Sequence, residues 1–191
     1  GPPPGILVVV ADINCASGQA IVADYLSAQV AEFEGPAHFE KFAGGQSNPT
    51  YKVTTSSGCY VLRSQPPGKL LPSAHAVDRE FRVISALADT AVPVPRALHL
   101  CSDLGITGAQ FYLMEHLDGN IHWDAALQGA ADNSQRGRIY QQMTTVLAAI
   151  HSVDVNQLEL GNYGRAGNYF ARQLQRWTGQ YADTQTHKIA A

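Results

Sequence analysis

The sequence has no block of lysine or arginine. Its 13 basic and 16 acidic residues are scattered and leave a formal charge of -3. That excludes nucleic acid or an anionic membrane as the main partner, because both are held by clustered cations. There are only three cysteines, Cys15, Cys59 and Cys101, with no CxxC pair and no histidine at zinc-ligand spacing. They read as reduced thiols of a cytoplasmic protein, two of them buried beside strands. The apolar run near the start, Ile6 to Ala11, is far too short to cross a bilayer, and the GPPPG before it lacks the positive charge of a secretory signal. Apolar character is plentiful: 45% hydrophobic residues over 191 positions suffice for one packed domain or two small lobes. A small molecule or a protein is the partner that this balance favours.

Apolar residues recur at helical spacing over 18–33, at Ile21, Val22, Tyr25, Leu26, Val30 and Phe33, until Gly35-Pro36 breaks the pattern. Three short strands are expected over 38–43, 50–55 and 59–64, the last two joined by a turn at Ser56-Ser57-Gly58. After Pro66-Pro67-Gly68, residues 74–88 place Val77, Phe81, Ile84 and Leu87 on one helical stripe. Pro93 and Pro95 prevent its continuation, and 97–101 and 110–115 read as strands around a turn at Asp103-Leu104-Gly105. Beyond Asp118-Gly119 the chain turns helical and polar, with helices at 134–151 (Ile139, Met143, Val146, Leu147 and Ile150) and 168–182. The expected division is an extension over 1–36, a small lobe over 37–118 and the beginning of a helical lobe over 119–191.

Two charged residues sit where apolar ones belong. Glu80 lies on the border of the 74–88 stripe, and Arg63 shares a strand face with Val61. A charge at such a place needs a partner, and an Arg63–Glu80 pair between the strand and the following helix satisfies both. Taken alone, the pair has two readings. It is a structural salt bridge in a small α+β domain, or it is a phosphate-handling pair, the cation touching nucleotide phosphates while the carboxylate holds it in place.

The runs FAGGQSNPTYKV, YVLRSQPPGKLLPSAHAVDREFRVISAL, VPVPRALHLCSD, FYLMEHLDG and GNYGRAGNYFARQLQRW resemble the aminoglycoside phosphotransferase family in the broad sense, alongside choline kinase. More narrowly they are similar to the subgroup found alone in bacteria and fused ahead of acyl-CoA dehydrogenase domains in animals. The likeness covers 38–181, and PPGKLLPSAHAVDRE is its most specific part. It implies an α+β fold: a protein-kinase-like small lobe of five antiparallel strands and one helix, preceded by an extra helix and followed by the first helices of an incomplete helical lobe. It also implies ATP and Mg2+ as cofactors, with a hydroxylated small molecule as acceptor.

By this resemblance Gly44, Gly45, Gln46, Ser47 and Asn48 form a phosphate loop, with Ser47 and Asn48 nearest the triphosphate. Arg63 stands where many kinases have lysine, exchanging a point charge for a fork able to hold phosphate and Glu80 together. Glu115, His116 and Leu117 form the hinge at the adenine edge, and Met114 lines the pocket before it. Lys69, Ser73 and His75, in the loop entering the Glu80 helix, either reach a phosphate or are solvated loop residues. Arg172, Arg176, Trp177 and Tyr181 fall on the acceptor side, where they suit a coenzyme-A-like molecule; packing with snorkelling arginines is the alternative.

The same resemblance calls for a catalytic-loop aspartate with an asparagine five residues later, and a second aspartate for magnesium. The HxD triplets here, ending at Asp118 and Asp124, are followed five positions on by Trp123 and Gly129. No catalytic residue or metal ligand is therefore assigned. The catalytic loop is expected beyond residue 151, near where the sequence stops, so this chain by itself is expected not to transfer phosphate. For the whole protein a hydroxyacyl-CoA is the preferred acceptor, an aminoglycoside-like molecule the other. The competing class is a pseudokinase-like nucleotide-binding or interaction module.

Overall fold

The computed structural model describes residues 11–43, 47–66, 75–164 and 167–184. Its first element, α1 (Ala16–Gln29), is rich in alanine, the best helix former. Gly18 is required there, because a Cβ would lie 1.9 Å from the Asp12 carbonyl oxygen where the preceding chain folds back. Val22 and Leu26 are fully buried, whereas Ile21 is 45% exposed, so the helix is rotated away from one residue of the expected stripe. Val30 is already extended, which ends the helix before Phe33. Both residues are nevertheless buried, reaching the core from irregular chain rather than from a helix.

Five strands follow: β1 (His38–Lys41), β2 (Thr50–Thr54), β3 (Cys59–Ser64), β4 (Ala97–Cys101) and β5 (Phe111–Glu115). They form one sheet in the order β1-β2-β3-β5-β4, each neighbour antiparallel. Helix α2 (Val77–Leu87) lies in the chain between β3 and β4. Between β4 and β5, where a simple turn was expected, there is a one-turn helix α3 (Leu104–Thr107); the Asp103 side chain caps it by accepting from the Gly105 N–H.

Strand alternation assigns the two sheet faces. Phe39, Tyr51, Val53, Tyr60, Leu62, Phe111 and Leu113 point to one side and close the main core with Val22, Leu26, Val30 and Phe33. The other side carries Arg63 and Tyr112, which meet Glu80 and Phe81 of α2. The fold is thus α+β, as expected, with α1 and α2 on opposite faces of a five-stranded antiparallel sheet. Of the cysteines only Cys101 is buried; Cys59 begins β3 at the sheet end and is exposed, as is Cys15, which corrects the expectation of two buried thiols.

The described chain divides into two compact units, one running to Val153 and one from Asp154. The first also contains α4 (Asn133–His151), whose N-cap Asp132 accepts from the Gln135 N–H at 2.7 Å. The second contains α5 (Tyr169–Thr184). No described helix is long and apolar enough to cross a membrane.

Candidate functional site

The site grows from the register of the central strands. Thr50 pairs with Arg63, and Arg63 with Tyr112, so three side chains stand in a row across β2, β3 and β5 on the α2 face. Glu80, in the first turn of α2, meets this row. Arg63 Nε donates to Glu80 Oε2 at 2.6 Å and its Nη2 donates to Oε1 at 3.3 Å, a two-pronged fork. The Arg63 Nη1 donates to Thr50 Oγ1 at 2.9 Å. Tyr112 donates its hydroxyl to Glu80 Oε2 at 3.2 Å, and the Asn48 amide donates to Oε1 at 3.1 Å.

This environment fixes the charges. The hydrogen bond to Glu80 raises the Arg63 pKa, burial works against it, and the carboxylate charge adds to the rise, so Arg63 stays a cation. Burial, followed by the Glu80 charge, raises the Tyr112 pKa and keeps its hydroxyl proton available to Glu80. Among the described residues no buried side-chain nitrogen or oxygen lacks a partner. The pair is therefore surrounded by donors and acceptors that match it, the condition under which a half-buried ion pair is tolerated.

The other predicted residues fall in four groups. Asn48, only 3% exposed, carries the network outward: its Oδ1 lies 2.8 Å from His75 Nδ1, and the same nitrogen lies 3.1 Å from Ser47 Oγ. Gly44, Gly45, Gln46, Lys69 and Ser73 lie outside the described residues. At the end of β5, Met114 is half-buried on the Arg63 face, paired with Val61. The Glu115 side chain accepts from the Arg96 N–H at 2.9 Å, and the His116 N–H donates to the Cys59 carbonyl at 3.3 Å. Leu117 follows, 60% exposed. In the second unit, α5 carries Arg172, Arg176, Trp177 and Tyr181; Arg172 donates to the Gly167 carbonyl, and the Arg176 guanidinium lies 5.9 Å from the Trp177 ring centre. Trp177 and Tyr181 are more than half exposed, so the aromatic stripe is not a core within that unit.

Two members of the network, Thr50 and Tyr112, were not singled out from the sequence. Their signal was present only in combination: each lies on the Arg63 face by strand alternation, but that placement requires the pairing register.

The model of the phosphotransferase enzyme family matches residues 38–191. The chain belongs to that family. It is 48% identical over 157 residues to mouse acyl-CoA dehydrogenase family member 10 and 39% identical over 163 residues to human acyl-CoA dehydrogenase family member 11. These alignments cover 82% and 85% of this chain but 15% and 21% of the relatives, so the chain spans about a fifth or less of their length. A crystal structure of "a putative aminoglycoside phosphotransferase" from Ralstonia eutropha JMP134 superposes with a TM-score of 0.71 at 41% identity, covering 88% of this chain and 48% of that one. The five-stranded sheet with its helices is accordingly the small lobe of a kinase-like phosphotransferase fold.

Proposed function

We propose that this chain is the nucleotide-binding part of an ATP- and magnesium-dependent phosphotransferase that acts on a hydroxyl of a small molecule. The Arg63–Glu80 fork carries the reading. The three bonds of Arg63 occupy three of the five N–H donors of a guanidinium, which leaves two to meet phosphate oxygens while Glu80 holds the plane still. Ser47 and Asn48, tied to the same network, end the loop that would cover the triphosphate; Met114 would line the pocket and the backbone at Glu115, His116 and Leu117 would take the adenine edge. Bound ATP would supply the phosphoryl group, with magnesium neutralising its charge.

Among the described residues no three His, Cys, Asp or Glu side chains gather as a metal cage, and neither HxD triplet has its asparagine. No residue of this sequence is assigned here as the catalytic base or as a magnesium ligand. The relatives named acyl-CoA dehydrogenase family members favour a hydroxyacyl-CoA acceptor over an aminoglycoside-like one. Calorimetric titration of ATP·Mg2+ into the full-length protein and into Arg63→Ala tests the site. An affinity loss of about tenfold or more is expected for the variant; a folded full-length protein that binds no ATP would overturn the reading.

A further inference from the structure

We propose that His75 is a positioning residue: its Nδ1–H sets the direction of a hydrogen-bond chain from Glu80 to Ser47 and leaves the Ser47 hydroxyl proton free to be donated. This rests on the reading of residues 44–48 as a phosphate loop. The directions follow one from another. A carboxylate facing a guanidinium only accepts, so the Asn48 atom 3.1 Å from Glu80 Oε1 is the amide nitrogen and Asn48 Oδ1 faces His75. A carbonyl oxygen also only accepts, so His75 Nδ1, 2.8 Å away, carries the proton. Ser47 Oγ, 3.1 Å from that nitrogen, then meets an N–H rather than a lone pair. It can only accept there, and its own proton turns elsewhere. The Arg63–Glu80 pair thereby determines the polarity of a hydroxyl in the loop.

The backbone of His75 supports a dedicated role. Its φ of 60° lies in the left-handed region, unusual for a residue with a side chain, and its carbonyl accepts from the Val77 N–H at 2.9 Å as α2 begins. The imidazole bonds to Ser47 and Asn48 join this joint to the residues that lead into β2, so those two residues and the start of α2 are tied together before any ligand arrives.

Two measurements test it in the full-length protein. With 15N-labelled histidine, long-range proton–nitrogen spectra should show His75, identified by the signal lost in His75→Asn, as the Nδ1–H tautomer; the Nε2–H tautomer would overturn the proposal. In ATP·Mg2+ titrations, His75→Gly accommodates the backbone but removes the donor, and should weaken binding about tenfold. Asparagine tolerates a left-handed backbone and keeps a donor near the Nδ1 position, so His75→Asn should stay within about threefold of wild type. Wild-type affinity in His75→Gly, or equal losses in both variants, would sink the idea while leaving the nucleotide reading intact. Absence of ATP binding to the wild type would instead remove the nucleotide reading and Ser47's ligand with it. Should His75→Gly fail to fold, the wild-type tautomer decides by itself.

Discussion

Arg63 and Glu80 are 17 positions apart in the chain and meet through a fork of two N–H donors, at 2.6 and 3.3 Å. The strand supplies a rigid base for the cation, and the first turn of α2 brings the carboxylate to it. Tyr112 and Asn48 take further lone pairs of Glu80 from two other segments. One carboxylate thus ties β3, β5, α2 and the chain entering β2 together.

Removing Glu80 leaves four donor groups, from Arg63, Tyr112 and Asn48, facing a partly covered surface without their acceptor. Glu80→Ala should cost about 2 kcal/mol, between the values for exposed and buried pairs. Urea unfolding of Glu80→Ala, Arg63→Ala and the double variant should show a coupling of about 1 kcal/mol. Strict additivity would contradict the pairing.

Arg63→Lys keeps the charge and loses the fork. A lysine cannot bond Glu80 through two nitrogens while also holding Thr50, so stability should fall by about 1 kcal/mol and ATP affinity should lie between those of wild type and Arg63→Ala. Wild-type behaviour in both assays would show that charge alone suffices.

Tyr112→Phe deletes one donor and keeps the ring against Phe81, whose centre is 5.9 Å away. The expected loss is about 1 kcal/mol of unfolding free energy, read from the shift of the urea midpoint. A loss of cavity size, above about 3 kcal/mol, would mean that the ring had moved.

The orientation of α1 can be tested by a pair of truncations. Leu26 is fully buried and Ile21 is 45% exposed. Leu26→Ala should cost about 2–5 kcal/mol and Ile21→Ala within about 1 kcal/mol. Equal costs would place the helix in another rotation.

His99 on β4 gives a pH dependence. Burial lowers its pKa below the ordinary 6.5, and its Nε2 is hydrogen-bonded at 2.9 Å to the hydroxyl of Tyr25 of α1, itself pushed up to about 12 chiefly by burial. Above 6.5 the group is neutral in both states and contributes no slope. Below 6.5 the unfolded chain takes up the proton first, so stability falls as pH drops toward the folded-state value. Melting temperatures between about pH 7 and pH 5 should show this slope, and His99→Gln should reduce it. An unchanged slope in the variant would assign the effect to other groups.

The existence and type of the long elements were legible in the sequence, because a period of 3.6 or 2 in apolar residues is a local property of the chain. The sequence also showed that Arg63 and Glu80 needed one another, since each is a charge on an otherwise apolar face. It misplaced what local pattern does not decide. Val30 and Phe33 continue the helical spacing of apolar residues, yet the core takes both from a turn beyond the helix end. Cys59 reads as a strand residue but stands at an exposed sheet end. That Thr50, Arg63 and Tyr112 share a row, and that Asn48 and His75 link Ser47 to Glu80, emerged from the folded arrangement alone. Those relations depend on strand register and on side-chain directions between segments far apart in sequence, which no local periodicity encodes.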